Sequence, residues 1–463
     1  MNLNRKDLEP FFTPKSIAVI GASRSPGKIG HEILRNIKLS GYKGEVYPIN
    51  PNAKEILGFE SYKSLDDLET GSVDLAIIVI PATAVENVVQ ECVRKKVPAA
   101  IIISSGFSEI GNKGLEEKIA SVARRGGTRI VGPNTFGIFY AKSKMNATFG
   151  PNYVLSGKTA FITQSGALGL ALMDWTTEEK YGVSSIVSIG NKSDVDDADL
   201  VDFFADDNGT SSVLIYMEGL KNGRRFYEAS SRAVKKKPIV IIKSGSSKRG
   251  AQAASSHTGS IAGEDIIYST AFKQAGAMRA ETMTQAFDWI QAINENPVPL
   301  GENIVIVTNG GGIGVLATDK CEQLGLKLIE IPDSLKEQIR PLIPGFGSVR
   351  NPVDMTANAD DEIYSKVVTA LFNGDDVHGI IALFCQTADI DPILVAHSLL
   401  SSKNQYGNTR PITAAFIGGR QAQAAYSRMI ERKFAAYPTA ERAVDGMYAL
   451  ITRYRQLQRE YGK

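Results

Sequence analysis

Short runs of β-branched and aliphatic residues recur along this chain, each followed by a longer segment of helical period, and this alternation limits the possible folds most severely. Neighbouring parallel strands need crossovers long enough to hold a helix, so the pattern specifies parallel sheets covered by helices. The chain has 463 residues, too many for one ordinary domain. The runs fall into three series. Strands are expected at 16–21, 45–50, 74–80, 99–103 and 129–131, then at 159–163, 185–189, 212–217 and 239–243, then at 304–308, 379–384 and 412–416. Turn formers at 148–157 and the run Asn294-Glu295-Asn296-Pro297-Val298-Pro299 suggest boundaries. The expected domains are therefore 1–150, 151–296 and 297–463.

Composition excludes several classes. Lys plus Arg number 52 against 50 Asp plus Glu, which gives no strong pull toward nucleic acid or an anionic membrane. The basic run 232–237 reads as a solvated helix end ahead of Pro238. Apolar runs such as 75–81 are far shorter than a membrane span. Cys92, Cys321 and Cys385 are widely spaced, with neither metal-site nor disulfide spacing, and no metal ligand set is expected. The N-terminal residues lack the apolar stretch of a signal peptide, so a cytoplasmic protein is expected.

The second and third series resemble each other. Ala160-Phe161-Ile162-Thr163-Gln164-Ser165-Gly166-Ala167-Leu168-Gly169 parallels Val305-Ile306-Val307-Thr308-Asn309-Gly310-Gly311-Gly312-Ile313-Gly314, and the turn Asp207-Asn208-Gly209 matches Asn373-Gly374-Asp375. Internal duplication accounts for this, with convergent strand-helix patterning as the alternative. In each copy a strand runs through small residues into a helix, presenting backbone N–H groups and the positive helix end to an anion. Gln164, Ser165 and Gly166 form one such loop, and Gly310, Gly311 and Gly312 another. Tight strand-helix packing would give the same composition.

His257 is one of four histidines. It stands in Ser255-Ser256-His257-Thr258-Gly259-Ser260, within a segment, 244–264, composed mainly of Gly, Ser and Ala. So few large apolar side chains suggest a surface loop. A neutral imidazole is a nucleophile near pH 7, and a neighbouring carboxylate stabilises the cation formed on attack. Beside two anion-binding loops, His257 reads as a phosphoryl acceptor; alone, it would read as a solvated loop residue.

The first series has its own turn, Gly21-Ala22-Ser23-Arg24-Ser25-Pro26-Gly27-Lys28-Ile29-Gly30. It departs from the dinucleotide fingerprint: Ser23 replaces the second glycine, and the second strand ends at Asn50 where an acid would hold the ribose diol. It is not a Walker A loop, since Ile29 follows Lys28. Arg24, Lys28 and the backbone N–H groups suit a diphosphate, so a nucleotide-like ligand other than NAD is expected, coenzyme A among them.

Taken together, these motifs, with Ile103-Ser104-Ser105-Gly106, Gly132-Pro133-Asn134-Thr135-Phe136-Gly137, Tyr216-Met217-Glu218-Gly219 and Ser256-His257-Thr258-Gly259, make the chain resemble the α subunits of ADP-forming acyl-CoA synthetases in the succinyl-CoA synthetase superfamily. The resemblance spans essentially the whole chain. It implies an α/β fold in which a Rossmann-like CoA-binding domain is followed by two flavodoxin-like domains. It also implies reversible conversion of acetyl-CoA, ADP and phosphate to acetate, ATP and CoA through an acyl phosphate and phosphorylated His257. Glu218 would orient and stabilise His257. Ser23, Arg24, Ser25, Gly27, Lys28, Asn50, Lys54, Ser104, Ser105 and Gly106 would bind CoA, Asn134 and Thr135 would lie near the thioester, and the two glycine-rich helix starts would hold the phosphohistidine.

Thr135-Phe136 replaces the Cys-Pro of the succinyl-CoA enzyme, and the aromatic ring is expected to shorten the acid pocket, favouring acetate. Once three domains are assigned, too little chain remains for an ATP-grasp module. The resemblance therefore implies a separate β subunit carrying ADP or ATP with Mg²⁺, in an α2β2 assembly. Two other classes stay open at this point: a CoA-binding regulatory or scaffold protein without ligase activity, and an NAD-dependent oxidoreductase, which Ser23 and Asn50 disfavour.

Overall fold

The computed structural model describes residues 5–252, 264–406 and 409–461. They form two compact units, Met1–Arg279 and Ala280–Lys463. In the first unit a five-stranded parallel sheet runs in the order Glu45–Ile49, Ser16–Ile20, Leu75–Ile78, Ala99–Ile102, Arg129–Val131. These strands are short and almost wholly apolar because helices cover both faces. Ile20 pairs with both Ile49 and Ile78, so the turns that follow these strands open on one carboxyl edge. Strand order reverses at Ser16–Ile20, and a crevice at such a point is the usual ligand site of an open α/β sheet.

The second sheet has seven strands, in the order Met278–Ala280, Ile239–Lys243, Ser212–Met217, Ser156–Thr163, Val183–Ser188, Gly137–Tyr140, Met145–Thr148. The last two are antiparallel and come from residues that the sequence reading assigned to the first domain. Tyr140 shows why they belong here. It pairs with Ser185, and its buried hydroxyl donates to Asp207 Oδ1 at 2.7 Å. The first two sheets share one core: Phe12, on the short helix Glu9–Phe12, stacks on Phe203 with ring centroids 4.2 Å apart.

In the second unit the strands run Lys327–Leu328, Asn303–Thr308, Gly379–Cys385, Ile412–Ile417, Ala436–Tyr437, with Val353–Asp354 also paired to Asn303–Thr308. The helix Met283–Glu295, placed by sequence before the boundary at 296, packs in this unit on the long helix Ala440–Tyr461. Asp288 anchors it, since its carboxylate accepts two bonds from Arg442 at 2.7 Å and its carbonyl accepts one from Tyr437. No helix among the described residues is long and apolar enough to cross a membrane.

Candidate active site

At the carboxyl edge of the first sheet, Gly21 has φ +89°, and a Cβ there would lie 2.1 Å from Val79 O, so only glycine lets the chain turn against the neighbouring strand. Ser23 Oγ accepts from Ser25 N at 3.1 Å. Asn50 donates to Ala22 O at 2.7 Å and accepts from Asn52 N at 2.8 Å, tying the second strand end to this turn. Arg24, Ser25, Gly27, Lys28 and Lys54 are exposed. Ser104 Oγ bonds the backbone at Ile80, while Ser105 is exposed beside it. Four strand ends thus bring three cations and several backbone groups to one rim, a fit for a diphosphate-bearing ligand.

The loop that leaves this rim at Ser104 borders, through Ser108 and Glu109, a cavity of about 970 Å³ in the same unit. Asn134 N donates to Ser104 O at 2.9 Å, and Glu109 Oε1 accepts from Gly106 N and Phe107 N, so the 104–109 loop links rim and cavity. Asn134, Gln164 and Glu218 all line the cavity, although long stretches of sequence separate them. Gln164 Oε1 accepts from Glu218 N at 2.8 Å and Gly219 N at 3.0 Å, and its Nε2 donates to Gly219 O at 3.0 Å and Asp197 Oδ1 at 2.7 Å. Glu218, just past the strand Ser212–Met217, is thereby held at the mouth of the site. Ser165 caps the helix Gly166–Glu178, and Gly166 leaves open space at its first residue, as an approaching anion requires.

Thr135 is buried, its hydroxyl donating to Ser188 O at 2.6 Å and accepting from Gly137 N at 3.1 Å. It therefore shapes the loop behind Asn134. Phe136 does not shorten the pocket: its ring is buried against Gly169 and is not among the cavity-lining residues. His257 lies outside the described residues. In the second unit, Gly310 caps the helix Gly311–Gln323, and Gly312 is open to solvent. Among the described residues no cluster of His, Cys, Asp or Glu has the makings of a metal site.

Sequence reading missed the loop after the strand Val183–Ser188, which supplies much of the cavity. Gly190, with φ +50°, passes so close to the Gly132-Pro133-Asn134 turn that a Cβ would lie 2.1 Å from Pro133 O. Asn191 donates to Glu109 Oε2 at 2.6 Å and Glu116 Oε2 at 2.9 Å, and Asn134 Nδ2 reaches Asn191 Oδ1 at 3.4 Å. Lys192, 9% exposed, donates to Asp197 Oδ2 at 3.1 Å and Gly219 O at 2.6 Å. Asp194 grips Arg129 and Ile130 N. Burial would raise the Glu109 carboxyl, but hydrogen bonds from Asn191 and the backbone outweigh it and hold it below its ordinary value. Burial lowers the Lys221 ammonium, with Glu116 opposing and Lys192 reinforcing. The available signal was the run Asn191-Lys192-Ser193-Asp194-Val195-Asp196-Asp197, dense in charge directly after a strand.

Sequence models match in the same order: the CoA binding domain over 15–141, the succinyl-CoA ligase like flavodoxin domain over 156–293 and the Ligase-CoA domain over 304–458. The chain is 49% identical to the acetate–CoA ligase [ADP-forming] I subunit alpha of Pyrococcus furiosus, covering 96% of this chain and 97% of that one. The chain belongs to the family of ADP-forming acetate–CoA ligase α subunits. The solved structure of dinucleotide forming acetyl-coenzyme A synthetase 1 from Ca. Korarchaeum cryptofilum, in complex with phosphate and ADP, superposes with a TM-score of 0.95 at 45% identity, covering 98% of each chain. The acetate–CoA ligase [ADP-forming] of Methanocaldococcus jannaschii is 40% identical over 95% of this chain, which spans 62% of that relative.

Proposed function

We propose that the chain is the CoA-binding and phosphoryl-carrying subunit of an ADP-forming acetate–CoA ligase. The convergence of Asn134, Gln164 and Glu218 on one cavity adjoining the CoA rim carries this reading. A phosphate oxygen attacks the thioester carbonyl carbon, the C–S bond breaks, and the thiolate leaves as CoA. The Asn134 amide steadies the carbonyl oxygen. An imidazole nitrogen of His257 then attacks phosphorus, the P–O bond to the acyl group breaks, and acetate leaves. Glu218 stabilises the imidazolium charge that develops, while the Gly166 helix start binds the phosphoryl oxygens.

Transfer from His257 to ADP breaks the N–P bond on a separate ATP-grasp β subunit, which would hold Mg²⁺ with the nucleotide in an α2β2 assembly. The longer relative from Methanocaldococcus jannaschii supports this: a ligase of the same name extends well beyond the length matched by this chain. The test is ATP formation from acetyl-CoA, phosphate and ADP, assayed for the chain alone, the ATP-grasp partner alone and both together. ATP only from the mixture is expected; ATP from this chain alone would overturn the division of labour.

A further inference from the structure

Beyond the roles above, and resting on that reading, we propose that Lys192 and Asp197 act with Gln164 as a positioning unit for Glu218. Lys192, Asp197 and Gln164 close a ring with the Gly219 carbonyl. Asp197 accepts from Gln164 Nε2 at 2.7 Å and from Lys192 Nζ at 3.1 Å, and both donors also meet Gly219 O, at 3.0 and 2.6 Å. Gln164 Oε1 in turn takes the N–H groups of Glu218 and Gly219. The peptide on which Glu218 stands is therefore held at three backbone atoms, and Lys221 adds a bond from its ammonium to Lys192 O at 2.8 Å.

Stability alone is a poor account of the ion pair. Lys192 is 9% and Asp197 2% exposed, and a buried pair is often no better for stability than apolar residues of the same volume. Nor does holding the strand end require it. In the second unit Asn309 occupies the place of Gln164 and holds Cys385 by the same kind of amide clamp, accepting from its N at 2.7 Å and donating to its O at 2.8 Å; both bonds go to that one residue. What distinguishes the second domain is a carboxylate at that strand end, facing a cavity that Lys192 and Gln164 also line. The pair is placed to fix that carboxylate.

The experiment follows labelling of His257 from acetyl-CoA and labelled inorganic phosphate, with the full chain and its partner subunit, for wild type, Lys192→Met, Asp197→Asn, Lys192→Arg and the apolar double variant Lys192→Met/Asp197→Leu. Each single neutral variant should slow maximal labelling about 100-fold, the loss expected for a slightly misplaced group, with KM for acetyl-CoA and phosphate within about 3-fold of wild type. Lys192→Arg should recover part of the rate. The double variant should recover thermal stability without recovering rate. Rate returning together with stability in the double variant, or wild-type labelling in the single variants, would overturn the inference. No label on wild type would instead overturn the function on which it rests.

Discussion

The second domain and the third are built on the same strand order and the same turn chemistry, yet at one matching strand end the second carries a carboxylate, Glu218, where the third carries a thiol, Cys385. Thr163 Oγ1 donates to Ser165 O and accepts from Ser165 N; Thr308 Oγ1 does the same with Gly310. Thr163 pairs with Tyr216 and Thr308 with Leu383, so register makes Glu218 the counterpart of Cys385. The turns before these strands differ as well. Asp207 is fully buried, bonded by Tyr140 at 2.7 Å and Thr210 at 2.6 Å, whereas Asp375 in the matching turn is fully exposed. The shared features make a strand-to-helix edge that suits an anion. The differences fall where the proposed chemistry lies: one position past the strand end, with a charged loop behind it.

That comparison breaks most sharply at Glu218. Glu218→Ala should lower labelling of His257 about 10²–10³-fold, the usual loss for a group stabilising developing charge, while Cys385→Ala stays within about 3-fold of wild type. Equal losses would mean that the copies share the chemistry.

Asp207→Ala comes next. It removes the acceptor of the Tyr140 hydroxyl and of Thr210, which keeps Ser184, and should cost the first unit roughly 3 kcal/mol in denaturant unfolding, against about 0.5 kcal/mol or less for Asp375→Ala in the second. The same contrast appears with pH. Burial would raise the Asp207 carboxyl, but hydrogen bonds from Thr210 and Tyr140 outweigh it and hold it low. A folded value below the unfolded one gives stability that is present above the ordinary aspartate value of about 3.9 and is lost as pH falls through the lowered folded value. Acid titration of wild type against Asp207→Asn, followed by Tyr140 fluorescence or hydrogen exchange in the strand Gly137–Tyr140, should show that extra acid sensitivity only in wild type.

The amide clamps should show smaller, local effects. Gln164→Ala should speed hydrogen exchange at the Glu218 and Gly219 amides about 10-fold, and Asn309→Ala should do so at Cys385, each leaving the other site unchanged. The smallest effect sharpens the likeness instead: Thr163→Val and Thr308→Val should each cost about 1 kcal/mol, measured by denaturant unfolding.

The long β-branched strands were legible because their patterning is local, as were the phosphate-type loops, where glycine and small residues follow a strand directly. Gly137–Tyr140 and Met145–Thr148 were not read as strands, because Val183–Ser188, the partner of the first of them, lies some forty residues away and period alone does not choose a partner. Two-residue strands such as Lys327–Leu328 and Ala436–Tyr437 carry too little pattern to be seen. Glu218 and Asn134 were found through motif resemblance. Lys192, Asn191 and Asp197 were not, because a lysine in a charged loop reads as solvated until the fold buries it against Gly219. Phe136 misled for the converse reason: an aromatic residue beside a substrate motif reads as a pocket wall, whereas the helix Gly166–Glu178 offers it Gly169 as a packing partner.

The most direct test of the central claim is to incubate the full chain and its partner subunit with acetyl-CoA and labelled phosphate, quench, and locate the label by peptide mapping. Acid-labile, base-stable label on His257 is expected, absent from His257→Ala and strongly reduced in Glu218→Ala. Label on another residue, or its persistence in His257→Ala, would contradict that claim.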